Sequence, residues 1–412
     1  MATVLGTFSV LKDHVKLKVS QDATRIDNIV FRLHYRATFL ALLVATLLVS
    51  TKQLVGEHIK CISDEGIPEA VIDTFCFFTS TFTVTKHMNV TMLAGGAIPH
   101  PGVGPVNNED AVVHHVYYQW VPFVLFFQAI CFYVPHYLWR SNEGGRLKML
   151  VSGLHMAALS LSDEKVEMEG GKAVPTRSER QEKLEQIRIA FINRLHANRP
   201  WAYYLSLCEV LNFVNVLGQI YVTDLFLGGA FLGLGESVAQ ADFGEAMNPL
   251  DIVFPKVTKC TFHKYGPSGT IQKHDALCVM ALNIVNEKIY TFLWFWFIIL
   301  AIVTGLGLVW RILTMLLHAR SKAFNKLVFS MACPGKYNPW SVLRVTNEYY
   351  FGDWLFLYYI AKNLDNYAFK DLLEQLGHDM EDRRAARFRR TFGSVTEEEP
   401  LKQRTVTSKD VV

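Results

Sequence analysis

The sequence predicts an all-α membrane protein: a four-transmembrane-helix bundle with disulfide-bonded extracellular loops and a cytosolic helical domain. Three observations support this fold class: the composition, four long apolar windows and an uneven distribution of Lys and Arg. Of 412 residues, 50% are hydrophobic and only 19% are charged, whereas a soluble domain carries roughly 25% charged residues. The aromatic content of 13% excludes disorder across the whole chain. A net charge of +3 gives no reason to expect nucleic-acid binding.

Four windows are apolar enough to cross a bilayer, whose hydrocarbon core of about 30 Å needs roughly 20 apolar residues in a helix. We expect spans at 37–55, 117–139, 201–227 and 287–310. Residues 1–36 lack the apolar core and the small-residue cleavage site of a signal peptide. The first span is therefore predicted to be an uncleaved anchor.

The flanking Lys and Arg residues predict the orientation of these spans. Residues 1–36 carry six of them, residues 140–200 carry eleven, and the chain from residue 311 carries sixteen. Residues 56–116 carry two and residues 228–286 carry four. We therefore place both termini and the middle loop in the cytosol, and the loops 56–116 and 228–286 outside the cell.

Two cysteines lie in each outer loop: Cys61 and Cys76 in the first, Cys260 and Cys278 in the second. In an oxidising compartment this pattern predicts disulfides. The residues alone leave open whether each loop closes on itself or the two loops are joined. There is no CxxC pair, and the adjacent His114 and His115 lack the third partner that a metal site needs, so no metal and no cofactor is expected. The first outer loop also contains an N-glycosylation acceptor at Asn89.

A specific string opens the second predicted span: Tyr117, Tyr118, Gln119, Trp120, Val121 and Pro122. It resembles the signature of the innexins, the gap-junction proteins of invertebrates. The four spans, the cytosolic termini, the two cysteines per outer loop and the segment 281–296 agree with this resemblance, which covers residues 1–370. Connexins would have three cysteines in each outer loop, so the resemblance is specific.

The resemblance implies a ring of subunits around one wide pore, eight in a relative of known structure. It implies homo- or hetero-oligomers with other innexin subunits in the plasma membrane, and docking with the equivalent ring of a neighbouring cell. It also implies disulfides between the loops in nested order, Cys61 with Cys278 and Cys76 with Cys260.

A polar stripe on the first span is the first candidate lining of a pore. At about 100° per residue its members share one face of the helix: Thr38, Thr46, Ser50, Gln53 and Glu57. The alternative is that the small hydroxyl side chains pack and hydrogen-bond between spans. We expect Thr46, Ser50, Gln53 and Glu57 to line the pore.

The N-terminal segment is the second candidate lining. Val4 and Phe8 belong to an apolar stripe at helical spacing, which alone would fit an interfacial amphipathic helix. The resemblance implies instead that the N-terminus folds into the pore mouth as a funnel. We therefore expect Met1, Val4 and Phe8 at the constriction.

Three further residues inside the predicted spans are unusual. Glu209 is the only acid well inside a span, which makes it a functional candidate or the acceptor of a buried hydrogen bond. Pro122 and Pro135 lie within the second span, where each removes a backbone donor and is predicted to kink the helix.

The cytosolic parts carry two apolar stripes at helical spacing, over 178–199 in the middle loop (140–200) and over 354–376 in the C-terminal helical region (311–376). We expect them to pack as a helical domain. Residues 377–412 are charged and polar and are predicted to form a disordered tail.

The main hypothesis is therefore a gap-junction channel subunit that passes ions and small solutes between adjacent cells. Two alternatives remain: an undocked hemichannel that releases small metabolites, and a non-conducting four-span adhesion or scaffold protein. No enzyme is expected, since the sequence has no Ser-centred elbow, no HExxH and no paired intramembrane carboxylates.

Overall fold

The computed structural model describes residues 24–55, 59–63, 67–88, 96, 98, 100–107, 109–151, 154, 166–168, 172–174, 176–195, 197–240, 250–333 and 350–393. The chain divides into two compact units. One comprises Asp27–Asn142 and Tyr204–Leu313, and contains the outer loops. The other comprises Glu143–Tyr203 and Thr314–Val412, together with Met1–Ile26.

Among the described residues, four helices are long and apolar enough to cross a membrane: α1 (Ile29–Val55), α3 (Val121–Glu143), α6 (Arg199–Phe226) and α9 (Ala281–Leu317). Their shared core includes Leu42, Leu125, Phe132 and Phe297. Other large apolar side chains point outward, in keeping with a lipid environment; Phe127, for example, is 62% exposed. The predicted four-helix architecture is confirmed.

The helices are longer than the apolar windows. The first begins at Ile29 rather than at residue 37, because the side chain of Asn28 caps it by accepting from the backbone N–H of Phe31 (2.7 Å). The fourth continues through Leu317 rather than ending at residue 310. A hydropathy window ends where charged residues begin, but a helix continues wherever those side chains find partners.

The predicted kink at Pro122 is wrong. Pro122 is the second residue of α3, and in the first turn a backbone N–H has no partner within the helix, so its loss costs little. Pro135 does lie inside α3.

The outer loops form a five-stranded antiparallel sheet, which the sequence did not lead us to expect. Its strands are β1 (Lys60–Ile62), β2 (Thr81–Val84), β3 (Val112–His115), β6 (Val257–Tyr265) and β7 (Ile271–Val279), in the order β1-β7-β6-β2-β3. Helix α2 (Glu69–Thr79) lies between β1 and β2 in sequence, and the short helices α7 (Leu234–Gln240) and α8 (Leu250–Val253) precede β6. The turn between β6 and β7 requires Gly269, whose φ is +79°.

The second unit is built mainly from helices: α4 (Arg146–Val151), α5 (Arg177–Asn193), α10 (Lys322–Ala332), α11 (Phe351–Asn363) and α12 (Asn366–Gly393). A short hairpin of β4 (Val166–Met168) and β5 (Lys172–Val174) precedes α5. Helix α5 packs against α12, where Arg180 contacts Asp371 (2.8 Å) and Arg188 contacts Asp379 (3.0 Å).

Two predictions about the C-terminal region need correction. The stripe over 354–376 is not one helix, because Leu364 is extended and the carboxylate of Asp365 accepts from the backbone of Tyr367 to start α12. The boundary of the disordered tail at residue 377 is also wrong, since α12 continues to Gly393. The predicted boundary at residue 377 was too early because it rested on composition alone, and a charged sequence can still form a helix.

Candidate functional site

The two outer loops are interleaved rather than adjacent. The hairpin β6–β7 comes from the second loop, and strands of the first loop flank it on both sides, β1 next to β7 and β2 next to β6. Neither loop can therefore separate from the other without breaking a ladder of backbone hydrogen bonds.

Two disulfides join the same two loops. Cys61 lies opposite Cys278 in the ladder between β1 and β7 and is bonded to it. Cys76 on α2 is bonded to Cys260 on β6. The residues alone left open whether each loop closes on itself or the two loops are joined. In the structure the two loops are joined, in the nested order that the resemblance implied.

The sulfur atoms of Cys61, Cys76 and Cys278 all lie within 4.8 Å of one another. A metal ion needs deprotonated thiolates, and these sulfurs are already bonded in disulfides. This cluster is therefore a covalent crosslink and does not fit a metal site.

Lys259 adds a polar link between the loops. It is 8% exposed, and its ammonium donates to the backbone carbonyl of Gly104 (2.8 Å) and contacts the carboxylate of Asp275 (2.8 Å). Nearby, the imidazole Nε2 of His87 lies 2.9 Å from the carbonyl of Pro105. These contacts hold the segment 100–105 of the first loop against the sheet.

A buried histidine lies on the edge strand β3. The Nε2 atom of His115 is 2.8 Å from the hydroxyl of Thr83, and the side chain is buried. Burial, with a contribution from the neighbouring His114, lowers the pKa of His115 to about 4. The ring is therefore neutral at physiological pH.

The string that carries the family resemblance ties α3 to both outer loops. The hydroxyl of Tyr117 donates to the carbonyl of Val253 in the second loop (3.3 Å). Tyr118 and Gln119 both donate to the carbonyl of Phe77 near the end of α2 (3.1 and 2.6 Å). Burial raises the pKa of Tyr118 to about 12, so its hydroxyl stays protonated and remains a donor.

The polar stripe of the first span is partly buried. Thr46, Ser50 and Gln53 are half-buried on α1, and the Thr46 hydroxyl donates to the carbonyl of Leu42 (2.8 Å). Thr38 is fully buried, donates to the carbonyl of Leu33 and accepts from the indole N–H of Trp296 (2.9 Å). Thr38 therefore packs between helices, which was the alternative considered for this stripe.

Two further candidates, Trp120 and Pro122, lie at the start of α3. Trp120 is 59% exposed and Pro122 lies in the first turn of α3. Five candidates lie outside the described residues: Met1, Val4, Phe8, Glu57 and Asn89.

An intramembrane ion pair joins α6 to α9, and the hydropathy windows alone do not identify its basic member. The guanidinium of Arg311 donates to both carboxylate oxygens of Glu209, from Nε at 2.6 Å and from the terminal nitrogen at 2.5 Å. The Nδ2 atom of Asn28 also donates to Glu209 (2.8 Å). The hydropathy windows assign Arg311 to the cytosolic tail, although an acid inside one span with a base at the end of another is a signal for such a pair.

Comparisons with known proteins agree with this geometry. The innexin family model matches residues 27–380. The chain is 48% identical to innexin inx7 of Drosophila melanogaster over 91% of the chain and 85% of that protein. It is 44% identical to innexin inx2 of Schistocerca americana over 92% of the chain and 99% of that protein. The chain therefore belongs to the innexin family, and it is a plasma-membrane subunit of gap-junction channels formed with other innexin subunits.

Proposed function

We propose that eight copies of this subunit, alone or mixed with other innexins, form a ring around one wide pore. The ring docks through its outer loops with the equivalent ring of a neighbouring cell. Ions and small solutes then pass by diffusion from cell to cell, and no catalysis is involved.

The observation that carries this proposal is the interleaved and doubly crosslinked outer sheet. Docking two rings requires each subunit to present a surface of fixed shape, because ordering flexible loops at an interface costs free energy. A sheet that is built from both loops and crosslinked by two disulfides is already ordered before docking, so this cost does not arise when the rings dock. A non-conducting scaffold would have no need of the polar stripe on the first span.

We further propose that the pore is lined by the N-terminal segment and by the outer half of the first span. Met1, Val4 and Phe8 form its constriction, and the polar stripe continues toward the outside, through Thr46, Ser50, Gln53 and Glu57. The half-buried state of Thr46, Ser50 and Gln53 in a single subunit supports this position, since each keeps part of its side chain accessible.

Dye transfer tests the proposal. Pairs of cells that express the protein are compared with single cells, and a small fluorescent anion is the tracer. A docked channel predicts transfer between paired cells with little dye uptake by single cells. Uptake by single cells without transfer would favour the undocked hemichannel, and the absence of both would favour the non-conducting scaffold.

A matched pair of variants tests the lining. Ser50→Trp, which narrows the proposed pore, is expected to lower the conductance of each channel several-fold. The control is Leu48→Trp, because Leu48 is 56% exposed and lies on the face of α1 opposite to Ser50 at about 100° per residue. It is expected to leave conductance near that of the wild type. Equal conductance of both variants would contradict the proposed lining.

A further inference from the structure

The side-chain amide of Asn28 makes two hydrogen bonds, one through its oxygen and one through its nitrogen. Its Oδ1 accepts from the backbone N–H of Phe31 (2.7 Å) and so caps the start of α1. Its Nδ2 donates to the carboxylate of Glu209 on α6 (2.8 Å). The residue at which the first transmembrane helix begins is thereby bonded to a residue inside the third.

The acceptor of this bond is itself fixed. Glu209 is 7% exposed and Arg311 is 9% exposed, and the guanidinium of Arg311 contacts both carboxylate oxygens. Two bonds from a planar donor set the orientation of a carboxylate as well as its position. Because charges inside a membrane are costly unless they are paired, this ion pair does not exchange readily with other partners.

The surroundings of the cluster are closely packed. A cavity of only about 10 Å³ lies beside it, lined by Asn28, Glu209, Asn212 and Thr304 among others. The hydroxyl of Thr304 lies 2.8 Å from the Nε2 atom of His34 on α1. The first helix therefore meets α6 and α9 through polar contacts of defined length, in addition to apolar packing.

We propose that Asn28, Glu209 and Arg311 form an intramembrane latch that fixes the place and direction in which the first span begins. This inference rests on the proposed function, in which the N-terminal segment with Met1, Val4 and Phe8 lines the pore. Asn28 is then a positioning residue: it does not touch the permeating ion, but it determines where the N-terminal segment enters the pore. Breaking the latch changes conductance and gating while the ring and its docking surface persist.

The sharpest test is Asn28→Asp, because it separates the two hydrogen bonds. A carboxylate at position 28 still caps the helix, since Asp is as good an N-cap as Asn. It cannot donate to Glu209, and it places a second negative charge next to that carboxylate. We expect the single-channel conductance or the voltage of half-activation to change clearly, with at least a two-fold change in open probability, at equal surface amounts of assembled protein.

Two further variants separate the loss of the bond to Glu209 from the effect of an added charge at a helix cap. Asn28→Ser retains a capping oxygen, adds no charge and is too short to reach Glu209, so it is expected to shift the same properties in the same direction by less. The matched control is Ser321→Asp, which replaces the cap of α10 by the same carboxylate far from Glu209 in sequence and outside its contacts. It is expected to behave as the wild type.

The double variant Asn28→Asp with Glu209→Gln exchanges donor and acceptor. The introduced amide at position 209 can donate to the introduced carboxylate at position 28. Because Glu209→Gln also removes the carboxylate that pairs with Arg311, we expect conductance and gating closer to wild-type values than in Asn28→Asp or Glu209→Gln alone. A structural role of Asn28 in capping alone would not produce this rescue.

The outcomes are distinct. If the wild type conducts and all position-28 variants conduct and gate as it does, the latch is wrong although the channel function stands. If conductance and gating change in Asn28→Asp but are no closer to wild-type values in the double variant, a specific bond between positions 28 and 209 is contradicted. If the wild type itself conducts in neither paired nor single cells, the proposed function fails and the latch, as the positioning element of that pore, fails with it.

Discussion

At the scale of single residues, the most consequential contact is the ion pair between Glu209 and Arg311. Both side chains lie within transmembrane helices, and both are almost completely buried. Removing one member of such a pair leaves an uncompensated charge, whereas replacing both by uncharged residues removes the desolvation cost as well. The two kinds of change should therefore have different effects.

Arg311→Leu is expected to lower the free energy of unfolding by about 3 kcal/mol, within the range for a buried pair that has lost one partner. The double variant Arg311→Leu with Glu209→Gln should recover most of that loss. Thermal unfolding of the purified protein in detergent measures both. Arg320→Leu removes an exposed guanidinium and serves as the control. Equal melting temperatures for Arg311→Leu and Arg320→Leu would argue against the pair.

His115 gives the outer sheet a dependence on pH. Its pKa is about 4 in the folded protein and about 6.5 when unfolded. Between these values the unfolded chain binds the proton and the folded chain does not, so stability falls as the pH drops from about 6.5 toward 4. We expect a contribution of about 2 kcal/mol to be lost by pH 4.5.

The measurement compares melting temperatures at pH 7.5 and pH 4.5 in the wild type and in His115→Gln, which cannot titrate. The variant should lose less stability over this interval. What counts is the difference between the two pH slopes, so a general loss of stability in the variant does not affect the conclusion. Identical slopes would show that His115 takes up its proton as easily in the folded state as in the unfolded state.

At the scale of elements, close packing in the second unit depends on Gly352 at the start of α11. A Cβ atom at this position would lie 2.8 Å from the backbone of Arg199 and of Asn198. Backbone atoms cannot move aside as a flexible side chain can, so the two segments would have to separate.

Gly352→Ala is therefore expected to destabilise the second unit by about 2 kcal/mol, as overpacking does elsewhere. Gly377→Ala is the matched control, because Gly377 lies within α12 and a Cβ there would meet no atom within 4 Å. It should stabilise the helix by about 0.5–1 kcal/mol. Hydrogen exchange of α11 and α12 reports both changes, and opposite signs are the expected result.

The disulfides act on the outer sheet as a whole. The bond between Cys61 and Cys278 spans 217 residues of sequence, and the loss of a native disulfide typically costs about 2–5 kcal/mol. Replacing both cysteines by Ser is expected to abolish dye transfer between paired cells, because the docking surface loses its fixed shape.

Cys131→Ser is the control for that experiment, since Cys131 is a free cysteine on α3. It should transfer dye as the wild type does. Full dye transfer by the double Ser variant, at equal surface expression, would show that the sheet keeps its shape through hydrogen bonds alone.

At the scale of the whole molecule, the features that depend on composition and charge could be predicted from the sequence. The four spans, their apolar faces and the innexin fold are evident from hydropathy, from Lys and Arg counts and from the string at Tyr117. The sheet is not, because the three strands of the first loop have only three or four residues each, and they join the hairpin of the second loop through long-range contacts. The partner of Glu209 was missed because Arg311 lies just beyond the apolar window and so counted as a loop residue.

In the proposed channel, copies of this chain surround an axial solvent path beneath the outer sheet. Electron microscopy of the purified, detergent-solubilised protein makes such a path visible. We expect rings of eight subunits with a continuous central channel, some of them stacked in pairs through the outer loops. Particles without a central solvent path would contradict the proposed channel.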